Sequence, residues 1–157
     1  MARLAMDRTT NTPVVFLREV VGDRGLAIWI GAAEANAIAL ALQGEDASRP
    51  MTHDLAASAL RAAGATVDRV AITAVRNGTY FAELTLAREA APSVVLDARP
   101  SDAIALALRF GASLVAAESL LTVEGAAPPL APEPLSDAAL RAHLRRLGPE
   151  DFGRFEP

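Results

Sequence analysis

Apolar and polar positions along this chain follow two rhythms. A period of two marks half-buried strands, and Ala/Leu runs too long for a strand mark helices. The first rhythm predicts a short strand over Ala2–Arg8, a stronger one over Val14–Val21 and a third over Leu26–Ile30. Turn-forming residues fill 9–13 and 22–25 between them. It is clearest over Thr66–Arg76 and Thr79–Arg88, joined by Asn77-Gly78, the pair a two-residue hairpin turn demands. Val70, Ile72 and Ala74 should share a face on one of these strands, and Tyr80, Ala82, Leu84 and Leu86 on the other. Phe81, Glu83 and Thr85 then face the opposite way.

The second rhythm occurs twice. Val94-Val95-Leu96 reads as a buried strand end, Pro100 suits a first helical position, and an Ala/Leu run leads to Gly111, a left-handed stop. Sixty-six residues earlier, Leu26–Ile30 leads into a helix over Ala32–Gln43 closed by Gly44. Ala35–Leu42 repeats Ser101–Leu108 at six of eight positions, with Asn36 opposite Asp102. A single pair is not a solenoid, so we read two similar packing elements of one core. A third helix is predicted from Thr52, a good N-cap, to about Ala63, stopped by Gly64. Ser113–Ala117 should be a last short strand and Glu118–Leu121 one helical turn.

Together these elements predict an α+β fold: a mixed, largely antiparallel sheet with two Ala/Leu-rich helices and a third packed on it. The domain should span 1–123. A Pro-rich linker, 124–135, then precedes a C-terminal amphipathic helix and tail, 136–157, with Leu140, Leu144 and Leu147 on one stripe.

Composition narrows the chemistry. The chain of 157 residues has no cysteine, and its 15 basic residues are all Arg. Thiol nucleophiles, disulfides, Schiff-base lysines and the lysine-bearing phosphate loop are thereby excluded. Guanidinium groups are left as the strong phosphate partners. A net charge of −4 argues mildly against tight sequence-independent nucleic-acid binding, although a local Arg cluster suffices for contact. No apolar run approaches the ~20 residues of a membrane span, and the N-terminus lacks a secretory pattern, so the cytoplasm is the expected compartment.

Two turns gather the remaining polar chemistry. One is Asp97-Ala98-Arg99-Pro100-Ser101-Asp102, where free N–H groups of a helix start meet carboxylates and an Arg. The other is Arg49-Pro50-Met51-Thr52-His53-Asp54, holding one of only two histidines. With Glu34 these supply oxygen ligands for Mg²⁺ or Mn²⁺ and guanidiniums for phosphate, an inventory suited to phosphodiester hydrolysis. The same acids also serve as ordinary helix-start residues, which offset the dipole or cap the backbone. That leaves a non-catalytic binding or assembly module as the alternative, and a small phosphoester as an alternative substrate.

Several blocks resemble the bifunctional nuclease domain family of bacteria and plants. They are Asn11–Val15, Leu26–Gly31 with Glu34, Arg49–Leu55, Tyr80–Ala82 and Asp97–Ala103. The resemblance runs from about Leu4 to Leu121, and the blocks around His53 and Asp102 are its specific part. Ala33–Ala35 is plainer than usual and the linker richer in proline. Pro149–Phe152 looks like a tail of some members. The resemblance implies an α+β domain cleaving DNA and RNA, without fixing a catalytic set. On it we expect Asp97 and Asp102 as metal-facing carboxylates, Glu34 as a third, and His53 as acid or base oriented by Asp54. Arg49 and Arg99 should meet phosphate, with Ser101 beside them. Ala-rich helix faces and exposed edge strands suggest a homodimer.

Overall fold

A computed structural model describes residues 2–7, 10–44, 48–89 and 91–123. The Pro-rich linker and the C-terminal helix expected beyond 123 lie outside the described residues. The strands form two four-stranded sheets, where one had been expected, and the chain divides into two compact units at Asn36/Ala37 and Leu120/Leu121.

In the first unit, β1 (Ala2–Asp7), β2 (Thr12–Arg18) and β3 (Arg24–Trp29) form an antiparallel meander, completed by a two-residue β8 (Thr122–Val123) against β3. Its buried apolar side chains include Leu4, Met6, Val14, Leu26 and Ile28. β2 ends at Arg18 rather than at the expected Val21, and Val20 and Val21 are almost fully exposed. The ion pair of Glu19 and Arg24, with N–O distances of 2.6 and 3.0 Å, closes the turn early and ends the ladder there. Gly25 is required by close approach, since a Cβ there would sit 2.9 Å from the Leu17 carbonyl oxygen. α1 (Ala32–Gln43) begins in this unit.

The second unit, Ala37–Leu120, contains the rest of α1, α2 (Thr52–Ala62) and α3 (Pro100–Phe110) with a sheet ordered β6-β5-β4-β7. β4 (Ala65–Arg76) and β5 (Thr79–Arg88) form the expected hairpin, with Asn77 and Gly78 at φ 50° and 76°. β6 (Ala91–Ala98) is longer than its apolar core suggested and runs antiparallel to β5, and β7 (Ser113–Ala116) runs parallel to β4. One sheet face buries Val67, Val70 and Ile72 from β4 with Ala82, Leu84 and Leu86 from β5. α3 packs on this sheet with Ala103, Ile104 and Ala107 buried. Ala74 does not keep the face expected for it. Bulges between Val67 and Arg69 and between Ile72 and Ala74 shift the register, so that Ala74 pairs with Phe81. α3 ends at Gly111, whose φ of 64° is the left-handed stop foreseen in the sequence.

Candidate active site at two helix starts

Among the described residues, all three long helices carry an acid at their third position: Glu34, Asp54 and Asp102. An acid there faces the unbonded N–H groups and the positive end of the helix dipole, so this placement needs no functional cause. Asp54 acts in this way. The Glu34 carboxylate folds back over Gly31, so that a Cβ on that glycine would collide with it. Asp54 Oδ2 accepts the Met51 backbone N–H at 2.8 Å, making Met51 the N-cap where Thr52 had been expected.

Asp102 is used differently. Its carboxylate accepts two bonds from Arg99, Nε at 2.7 Å and Nη2 at 3.1 Å, and one from His53 Nε2 at 3.0 Å. His53 is the second residue of α2, so two turns 49 residues apart meet in one contact. α2 and α3 run side by side with their starts together, because Arg61 near the α2 end donates to the Arg109 carbonyl near the α3 end, at 2.7 Å. The two first turns thus present their free N–H groups on one rim, a setting that favours anions.

Burial is the largest influence on the Asp102 carboxyl and pushes it up. The hydrogen bonds from Arg99 and then His53 outweigh it, and the group lies below its ordinary value. An ionised carboxylate only accepts hydrogen bonds, so the His53 contact places the imidazole hydrogen on Nε2. The lone pair of the neutral ring is then on Nδ1. The His53 side chain is 14% exposed, Asp102 about a third and Arg99 two-thirds. The arrangement offers an oriented base, its orienting carboxylate, and a guanidinium on the solvent side.

Of the other expected site residues, Ser101 is buried at 7% exposure beside Asp102, and Arg49 is exposed in the turn before α2. Asp54 neighbours His53 in sequence but bonds to Arg109 Nε at 2.7 Å instead of orienting the imidazole. The Met51 N–H is the largest cause holding its carboxyl below the ordinary value. Burial opposes this, and the Arg109 hydrogen bond adds to it. Asp97 pairs with exposed Glu83 across β5 and β6, while its neighbour Leu96 pairs with buried Leu84. Strand alternation therefore turns Asp97 to the sheet face opposite α3. Glu34 belongs to the first unit.

The resemblance implies Mg²⁺ or Mn²⁺ at Asp97 and Asp102. Both Asp102 oxygens already accept bonds, Asp97 points the other way, and among the described residues no three His, Asp or Glu side chains group closely enough to hold an ion. This donor set does not fit a resident divalent cation between those two aspartates.

Sequence reasoning missed Arg109. Its Nη1 donates to the carbonyls of Ala37 in α1 and Ala105 in α3, at 3.1 and 2.9 Å, while Nε holds Asp54 of α2. One side chain, 10% exposed, thereby ties three helices together. The available signal was a lone cation at the end of an otherwise apolar helix, which reads equally well as dipole compensation.

The family model of the bifunctional nuclease domain matches residues 15–128. Two uncharacterized proteins of Mycobacterium tuberculosis, from strains CDC 1551 / Oshkosh and H37Rv, are each 36% identical over 157 residues, covering 95% of this chain and 93% of theirs.

Proposed function

Because the chain belongs to the bifunctional nuclease domain family, we propose that it hydrolyses phosphodiester bonds of DNA and RNA at the rim shared by α2 and α3. The reading is carried by one observation, the 3.0 Å contact between His53 and Asp102 with Arg99 on the same carboxylate. In this scheme the phosphate lies against the first N–H groups of the two helices and the outward edge of the Arg99 guanidinium. His53 Nδ1 takes a proton from the attacking water as the new P–O bond forms, and Asp102 stabilises the resulting imidazolium. The protonated ring then returns the proton to the leaving oxygen as the old P–O bond breaks. Arg49, exposed beside this rim in sequence, is a second phosphate contact. No step is assigned to a metal.

The test is hydrolysis of single-stranded DNA and RNA by the purified chain with Mg²⁺, with Mn²⁺ and with EDTA. His53→Asn should lower kcat by roughly 10²- to 10⁴-fold, the usual contribution of a positioned acid-base group. The fold should survive, because Asn keeps a polar side chain with an N–H donor beside Asp102. Activity unchanged by this substitution would sink the assignment.

The capping role of Asp54 favours a second reading, a non-catalytic module whose polar turns only finish helices. It expects no hydrolysis under any of the three conditions. On either reading we propose a cytoplasmic location. A homodimer paired through the exposed β6 edge, where Val95 and Leu96 are 57% and 44% exposed, would show as a doubled mass in light scattering.

A further inference from the structure

Next to His53 on α2, a different face of the helix opens onto a cleft of about 430 Å³, within the roughly 300–1,000 Å³ of small-ligand sites. Asp54, Ala57, Ser58 and Arg61 line it at positions i, i+3, i+4 and i+7, a single stripe along α2. The opposite wall is apolar, formed by Leu40 and Ala41 of α1 and Leu108 of α3, with Arg109 beside them. Two guanidiniums against one carboxylate give this lining a positive balance, in a chain of net charge −4. Arg61 is held in place. Its guanidinium stacks over the Phe110 ring at 4.4 Å and spends one hydrogen bond on the Arg109 carbonyl, out of five N–H donors available.

We propose that this cleft seats a nucleotide of single-stranded nucleic acid flanking the scissile phosphate. The sugar and base lie against the Leu40–Ala41–Leu108 wall, and the neighbouring phosphate meets Arg61. The inference rests on the hydrolytic reading above, because His53 and Asp54 are consecutive residues at the start of α2. A strand bound at the His53 rim needs only to pass around that helix start to enter the cleft. An apolar wall facing a fixed guanidinium suits a flexible strand with unstacked bases better than a duplex, whose bases are turned inward.

The test is binding of a 5′-labelled octathymidylate, followed by fluorescence anisotropy, with the full chain in a His53→Asn background so that the strand stays intact. Ser58→Glu places a negative charge on an exposed position inside the cleft and should weaken binding about tenfold. Ser113→Glu, on β7 and outside the cleft, changes the net charge equally and should leave affinity as it was. Arg61→Gln should reduce the slope of log affinity against log salt by about 0.7, the value for one phosphate contact on a single strand. Equal losses from Ser58→Glu and Ser113→Glu, or none from either, would overturn the proposal. So would binding of 5′-AMP that Ser58→Glu abolishes while the octanucleotide fails to bind, which marks a mononucleotide site. Hydrolysis is measured separately on the parent chain. A parent that binds the strand in a Ser58-dependent way but never cuts it would defeat the hydrolytic reading and keep the cleft.

Discussion

α1 and α3 share six of eight residues over Ala35–Leu42 and Ser101–Leu108, yet the two helices start differently. Their apolar halves behave alike, with Ile38 and Ile104 both fully buried. Their starts do not. α1 begins at Ala32 and reaches the position of Asn36 in its fifth residue, whereas Pro100 begins α3 two places later in the repeat and makes Asp102 the third residue. Proline cannot donate an N–H and fixes φ for a first turn, so it sets this offset. At the third position Glu34 bends back over its own glycine, while Asp102 meets Arg99 and a histidine from another helix. Two helices alike in their buried half can thus differ in what surrounds the acid of their first turn.

The widest separation between the two should appear in activity. Asp102→Asn keeps the shape but removes the charge that orients and stabilises His53, and hydrolysis should fall by roughly 10²-fold or more. Asn36→Ala, at the matching place in α1, should leave the rate unchanged. Equal losses would show that the effect passes through folding.

A large stability effect should come from Arg109, whose place in α1 is taken by the uncharged Gln43. Arg109→Met leaves Asp54 without its ion-pair partner and frees two helix carbonyls, and should cost about 3 kcal/mol in urea unfolding. A cost within error of zero would mean that packing alone holds the three helices. Smaller still, Ile38→Val and Ile104→Val should each cost about 1 kcal/mol, since each removes one buried methylene. A marked inequality would show that the matching halves are packed differently.

The most modest effect is on acid stability. Asp54 and Asp102 both lie below their ordinary carboxyl values in the folded chain. Their stabilisation is therefore complete above the unfolded value of about 3.9 and is lost as pH falls through the lower folded values. Melting temperature should drop from about pH 4 downward, less steeply in Asp54→Asn.

Much of this architecture is written in short-range patterns. The Asn77-Gly78 hairpin, the Gly111 stop and the Pro100 start follow from backbone preferences that act within a few residues, and the α+β class follows from the alternation of the two rhythms. The two polar turns were legible as well, because acids at helix starts and a scarce histidine stand out in any reading. Their roles were not. Asp97 and Asp102 lie five residues apart and look like a pair, but strand alternation turns the first away from α3. Asp54 adjoins His53 in sequence but is taken by Arg109, and the register bulges in β4 moved Ala74 off its expected face. The sequence by itself determined where helices begin and end, because caps, proline and glycine act locally. Only the tertiary structure decided that His53 meets Asp102 and that Arg109 joins three helices, because such contacts depend on packing between segments some fifty or more residues apart.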